Sequence, residues 1–582
     1  MKIRFSVVVV LLLILCIPVV AQESSNFKVV GQNPLFNRGM NSAAAIFNNF
    51  IYIGNRTDGS NRCGFGDPRR TDPNFGLDAC PHPHPGILII NIQNPSNPTV
   101  VGEIPAPLNA AGIPHSETSR ELRVWPSAKL LISMVFRCSS VIHACVGSNN
   151  TLAPFDIKFF SLADPTHPKF LSHYVPTSKA GLAVEPHEMF LWVDPNEDNR
   201  ALLFISTPPE NLEVDRTIPQ LLVVDISKVP KGGPVTEVAE ANWSDLFPGT
   251  SDPSTYPFDP NSLDGCGPYD CNLFVHSMGV KPDGTITYMS LEAGQFLILD
   301  TSTIAENKIP TGTVLDLHDR LLTNPTNRPV WLQNPPSPAA VPNEQPDGCA
   351  RTGDFFGFTV AKDCPNGHSS VQVPSRHLAL TTDEVYGTFT FFSFGCRWGW
   401  MRLIDTSNPA HPFITGEYLI DQDQLSFCGS AGDTPIAEQF RSFSSHNPTV
   451  LQNLALIDWH SGGVQAIDIS NPFNPTQGGF FRPAPIKMVA TEDPALTAGP
   501  ATTVDELTNP DTTNPDFKTK LALWSYPIIK DGLIYVIDIR NGLFILRYTG
   551  PHSDEVKAIT FLEGNSNLGD AVDLDQNHQG QE

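Results

Sequence analysis

Short apolar runs in this chain end repeatedly at the same polar punctuation. "ILIINIQNPSNPTVVGE", "IKFFSLADPTHPKFLS", "LLVVDISKVPKGGPVTE", "LILDTS", "MRLIDTSNPAHPFITGE" and "VQAIDISNPFNPTQGG" each give a β-branched, strand-forming run and an Asp- or Asn-containing turn. In most of them a proline corner follows, then another short strand. Proline removes a backbone donor and fixes φ, so each unit turns sharply at one place. Aligned backward from these endings, the chain falls into seven units that begin at Asn41, His115, His187, His276, His368, His446 and Trp524. Each reads as strand, small turn such as Pro282-Asp283-Gly284, strand, second turn, strand, corner, strand. No such unit can bury its own faces, and seven in series predict an all-β, seven-bladed β-propeller over residues 22–563. Two or three separate β-sandwiches would not require the same unit seven times.

Unit starts lie 72 to 92 residues apart, against about 40 to 50 for compact propeller blades. The excess is concentrated in insertions at 59–85, 139–153, 245–274, 320–367 and 480–522, all of which map to the end of the ring where each first strand begins. This end is called the upper end below. The ten cysteines after residue 21 map there too, as near neighbours: Cys63 and Cys80, Cys138 and Cys145, Cys266 and Cys271, Cys349 and Cys364, Cys396 and Cys428. An even number in an exported chain favours disulfides. The expectation is therefore long, disulfide-stapled loops on one face, and loops on a rigid scaffold are where sites are built.

Export is read from the first residues, "MKIRFSVVVVLLLILCIPVVAQ". Two basic residues, a short apolar run and a small residue at Ala21 predict a signal peptide over 1–21 and a secreted or periplasmic location. Residues 564–582 are polar and acidic and predict a disordered tail. Ring closure stays open between two segments, "FKVVGQ" near the start and "VKAITFL" at 556–562. With 61 acidic against 37 basic residues the net charge is −24, which argues against nucleic-acid or anionic-membrane partners. No later apolar run is long enough for membrane insertion.

Units ending in an apolar run, Asp and Asn-Pro resemble LVIVD-repeat propeller proteins, best in units one, five and six. "LIDWHSGGVQAIDISNP" in unit six is also similar to selenium-binding-protein-type propellers, a resemblance that implies metal-dependent oxidation of a small molecule.

Five of the seven unit starts are histidine: His115, His187, His276, His368 and His446. First strands of a propeller begin nearest its axis, so these imidazoles converge. Neutral imidazole is a ligand for copper, iron and zinc, and the register predicts an axial transition-metal site, copper or iron, with zinc also compatible. Glu117, Glu188 and Glu292 are candidates to hold ring tautomers. A second register, in the turn after the second strand, holds Glu292 in "LEAG", His460 in "WHSGG" and Arg540 in "IRNG". His460 and Glu292 are candidate catalytic groups for proton transfer, and Arg540 a candidate anion anchor. The competing reading is a polar channel whose histidines bond to backbone and water. Trp398, Trp400 and Trp459 either wall the cavity or pack in the core. His82 and His84 in "CPHPHPG" are spaced like a metal-binding tract, with an ordinary loop role as the alternative.

The chain lacks G-x-S-x-G, H-E-x-x-H, a phosphate-cradling glycine loop and C-x-x-C-H. Two function classes remain: an exported metal-dependent oxidoreductase acting on a small molecule, and a non-catalytic extracellular scaffold that binds a protein or glycan.

Overall fold

The computed structural model describes residues 22–61, 73–74, 79, 81–108, 110–112, 114, 117–135, 155–207, 218–243, 275–291, 295–323, 330–331, 350–355, 358–362, 367–384, 399–424, 426–427, 443–484 and 523–576. The expected signal peptide and every cysteine lie outside these residues, so the five disulfide pairings do as well. No helix among the described residues is long and apolar enough to cross a membrane.

Seven sheets follow one another along the chain, each laid out from an inner to an outer strand and antiparallel except where Leu315–Asp316 adds a parallel edge to the third. Their inner strands are Asn41–Phe47, Glu121–Trp125, Met189–Val193, Val275–Val280, Gly367–Gln372, Pro448–Val450 and Ile528–Lys530. These are the blades of a seven-bladed β-propeller. Blade faces carry Leu, Ile, Val and Phe that are buried on both sides, and successive blades close on one another through these residues. A small hairpin, Ala350–Phe355 with Phe358–Lys362, stands apart in the insertion of the fourth unit.

The polar punctuation has a specific geometry. At the end of the third strand, Asp405 Oδ1 accepts from the backbone N–H of Ser407 at 2.9 Å, and Asn408 Oδ1 then accepts from that of Ala410 at 3.2 Å. Asp468 with Ser470 and Asn471 with Phe473 repeat the pair in blade 6. Asn91 with Gln93 and Asn94 with Ser96 do the same in blade 1, so two successive Asx turns make the corners of blades 1, 5 and 6, which is why those units carry a short side-chain acceptor at both positions.

The N-terminal segment closes the ring. Phe27–Asn33 pairs antiparallel with Gly542–Tyr548 as the outer strand of blade 7, and Glu23–Ser25 adds a fifth strand to blade 6. "FKVVGQ" is therefore the closing strand. The other candidate, 556–562, instead contributes the end of a helix, Ser553–Ala558, and a two-residue strand, Phe561–Leu562, on the inner side of Ile528–Lys530.

Residues 564–576 are folded, in contrast to the disordered tail expected from their polarity. Asn567 explains how a polar segment is held: its Oδ1 accepts from Val193 N–H at 2.8 Å, and its Nδ2 donates to the carbonyls of Val193 and Pro282 at 2.7 and 3.0 Å. Gln372 Nε2 donates to Asp575 Oδ1 at 3.0 Å. The segment crosses the lower end of the inner strands, with Glu563, Asn565, Ser566 and Asn567 buried there.

Closure also needs a glycine. A Cβ on Gly31 would lie 1.9 Å from the carbonyl oxygen of Pro95, in the corner of blade 1. Gly31→Val is expected to lower stability by about 1–3 kcal/mol through this overpacking. Urea midpoints of the two proteins check it, and equal midpoints would refute a tight contact at the closure.

Candidate functional site

Four adjacent blades place their histidines together at the upper end of the axis. His276 and His368 sit at β-bulges between the inner and second strands of blades 4 and 5, where the pairing skips and a side chain is re-aimed. His187 and His446 each lie two residues before the inner strand of blades 3 and 6. Second strands of neighbouring blades pin these backbones: Ser206 Oγ donates to the His276 carbonyl at 2.9 Å, and Thr382 Oγ1 to that of His446 at 2.5 Å. Imidazole centroids follow one another at 4.4 Å from His187 to His276, 3.9 Å to His368 and 3.9 Å to His446. His460, from the second register, stands 4.5 Å beyond His446. All are buried except His187, which is half-buried.

Glu384 is the group on which they converge. Its carboxylate lies 3.1 Å from His460 Nε2, 3.2 Å from His446 Nε2, 3.4 Å from His368 Nε2 and 3.7 Å from His276 Nε2. His276 turns its other nitrogen, Nδ1, toward Glu188 at 3.7 Å, and its Nε2 also meets His187 Nε2 at 3.0 Å. Two overlapping sets, Glu188 with His276 and His368, and His368 with Glu384 and His446, bring one ligand atom from each residue within reach of a common ion. The residues present could therefore hold a metal.

Hydrogen bonds fix the tautomers of two rings. His460 Nδ1 faces the Leu523 carbonyl at 3.1 Å, and a carbonyl only accepts, so Nδ1 carries the proton. His368 Nδ1 faces Ser369 Oγ at 2.8 Å; Ser369 donates in turn to Asn447 Oδ1 at 3.0 Å, and Asn447 Nδ2 donates to the Trp524 carbonyl at 2.8 Å. That chain leaves Nδ1 of His368 as the donor. Both rings therefore turn Nε2 toward the Glu384 carboxylate, at 3.4 Å for His368 and 3.1 Å for His460, contacts that a proton on Nε2 or a metal ion between the groups would satisfy.

Burial and mutual proximity shift the titration of these groups. Burial pushes His276 down to about 3 and His446 down to about 4, against the opposing pull of Glu384. His368 and His187 are likewise held well below the ordinary histidine range, first by burial, then by neighbouring cationic groups and imidazoles. Burial raises Glu384, but His368 and His446 outweigh it and hold the carboxyl well below its usual range. Burial, with the Glu121 charge second, pushes Glu188 upward. Neutral imidazoles around an anionic carboxylate are the protonation states that bind a transition metal.

Of the predicted residues, His187, His276, His368, His446 and His460 come together, and Glu188 stands behind His276. His115 and Glu292 lie outside the described residues, as does Trp398. Glu117 faces away and ion-pairs with Lys158. Trp459 is core packing, its indole N–H donating to Asp423 Oδ2 at 3.2 Å, and Trp400 donates to Glu417 at 3.2 Å in the same blade-to-blade core. Arg540 is fully buried, and burial pushes its pKa down to about 9. The histidines of "CPHPHPG" form no tract: His82 Nδ1 meets the Ser60 carbonyl at 2.7 Å, whereas His84 stacks on Phe36 and pairs with Glu103. Glu384 itself was not singled out from sequence. It occupies the position of His460 in the second register, as "TTDEVYG" aligns with "IDWHSGG", and that register was the available signal.

In the metal-free protein these shifts have a pH signature. Unfolded histidines take up protons below about pH 6.5 while buried His276 and His446 do not, so stability falls as pH drops from 6.5 toward 4. The slope is about 1.4 kcal/mol per pH unit for each such group once its unfolded form is protonated. Urea midpoints of chelator-treated protein between pH 7 and 5 check this, with a shallower slope expected for His446→Gln; a flat profile would contradict neutral burial.

Residues 384–420 match the family model of the LVIVD repeat. They run from Glu384 through the third strand and the Asx-proline corner to the end of the outer strand of blade 5. No curated protein sequence matches the chain. Among solved structures, Sqt1 from Chaetomium thermophilum is 12% identical, covers 90% of this chain and 99% of its own, and superposes with a TM-score of 0.37. The same protein bound to the N-terminus of ribosomal protein L10 is 12% identical over 88% and 89% of the two chains, with a TM-score of 0.34. Sqt1 from Saccharomyces cerevisiae is 7% identical over 89% and 99%, with a TM-score of 0.37. The chain is thus a seven-bladed β-propeller that carries an LVIVD repeat in its fifth blade.

Proposed function

We propose that this chain is an exported metalloprotein, an oxidoreductase that acts on a small molecule at a transition-metal ion on the propeller axis. The observation that carries the reading is the convergence of the Nε2 atoms of His276, His368, His446 and His460 on the buried Glu384 carboxylate. His368, His446 and Glu384 would hold the ion, with His276 and His460 flanking it. A donor set of two imidazoles and one carboxylate suits copper, iron or zinc, and the first two would supply electron transfer and Lewis acidity.

The protein's own residues have separate tasks in this reading. Ser369 and Asn447 hold His368 in one tautomer, and Glu188 faces the outer nitrogen of His276. His460 keeps its proton on Nδ1, bonded to Leu523, and its Nε2 can take a proton from a substrate group that displaces it from Glu384. Burial of the imidazoles excludes bulk water from the centre.

Elemental analysis of the purified mature chain tests the proposal. About one transition-metal ion per chain is expected, lost when His276, His368 and His446 are replaced together by alanine. Metal-free protein with unchanged stability after that replacement would overturn it and leave the extracellular binding scaffold as the reading.

A further inference from the structure

The apolar interface between blades 1 and 2 opens into a cleft of about 300 Å³ where the third strand of blade 1 begins and its fourth ends. Ile87, Ile104 and Pro105 line it from blade 1, and Val135, Phe160 and Phe170 from blade 2. Phe170 is half exposed, and its ring meets that of Phe160 edge-on at 5.7 Å. The cleft shares no lining residue with the histidine cluster.

Its polar groups come from Glu117 and from the cross-strand neighbours Ser133 and Lys158. Lys158 ion-pairs with Glu117 and lies 3.3 Å from Asp156. The same register in blade 5 carries Arg402, which pairs with Asp383 and Glu417 but is fully buried beside Trp400. What is packed core in blade 5 thus borders a cleft in blade 2. Ser133 is 2% exposed, and its hydroxyl has no hydrogen-bond partner among the described residues. A buried hydroxyl left unpaired is costly, and a ligand group that bonds to it removes that cost.

We propose that this cleft binds a small, uncharged, largely apolar alcohol, its body against Phe160 and Phe170 and its hydroxyl at Ser133 and the Lys158–Glu117 pair. Ligand pockets run from roughly 300 to 1,000 Å³, so the occupant is small, and burying its body against these walls drives binding. Charge sets the head group. A carboxylate would add a third anion beside Glu117 and Asp156, an ammonium would meet Lys158, and either would lose hydration that the walls do not replace. A hydroxyl can donate to Glu117 and accept from Lys158 or Ser133.

Isothermal titration with 3-phenylpropanol, 3-phenylpropanoate and 3-phenylpropylamine, which share one body and differ in head-group charge, tests this. Saturable binding of the alcohol is expected, at about one per chain and tighter than that of either charged analogue. Ser133→Ala, which removes only the hydroxyl, is expected to weaken it about three- to tenfold. Ala106→Trp, at a partly buried lining position, is expected to abolish it by filling the cleft. Chelator-treated protein is expected to bind equally well, so the outcome is independent of the metal reading above. No saturable binding of any of the three, binding undiminished in both variants, or binding lost on chelation would overturn the cleft as the site. Tighter binding of the acid or the amine would overturn the uncharged head group. Thermal unfolding checks that each variant is folded, and if Ala106→Trp is not, Ser133→Ala decides.

Discussion

The pairing of Phe27–Asn33 with Gly542–Tyr548 is the contact on which the rest depends, because a propeller positions its axis only when the ring is complete. Each blade is a twisted sheet with two apolar faces, and neither face of the first or last blade has a covalent neighbour to cover it. Joining the two ends of the chain in one sheet turns seven weak, sequential interfaces into a closed set. The neighbouring strand Glu23–Ser25 extends the same idea to blade 6, so one N-terminal segment bridges two blades. What closure delivers to the axis is register: His187, His276, His368 and His446 come from sheets far apart in sequence, yet their rings stack at near-contact distance.

Within that closed frame the axial cluster is a problem of compensating charges. Five imidazoles in a dry site cannot all be protonated, and one buried carboxylate cannot stand unneutralised. Glu384 answers both demands when a cation is shared between it and the Nε2 atoms. Outer partners differ from ring to ring, a hydroxyl for His368, a carbonyl for His460 and a carboxylate for His276. In each case Nε2 turns toward Glu384.

How much of this was legible in the sequence follows from which interactions are periodic. Histidines at unit starts recur in one register, so alignment of the repeats found them. The Asp or Asn at the end of the third strand recurs because it opens an Asx turn in blades 1, 3, 4, 5 and 6, and the blade count followed from that recurrence. Glu384 was missed although it shares a register with His460, because the third strand of its unit begins only at Met401 and no short hairpin marks the turn. Arg56, which shares that register, and Arg120 were missed because only the closed ring brings them beside Trp524 and His187. The C-terminal segment misled because polarity was read as solvation, whereas Asn567 satisfies backbone groups of Val193 and Pro282 inside the lower opening.

That last segment has a consequence for access. Residues 563–567 fill the lower end of the axis, where Glu563, Asn565, Ser566 and Asn567 are almost wholly buried. Above them, Arg123 donates to the Met189 carbonyl at 2.7 Å and to Glu121 at 3.1 Å, and Tyr526 spans Ser277 and Ser369 at 3.2 and 3.3 Å. These hydrogen bonds are made between protein groups, with Arg123 and Tyr526 each joining more than one strand. From the lower end, this segment and the Arg123 and Tyr526 contacts lie between solvent and the histidines, while the blades keep the imidazoles fixed.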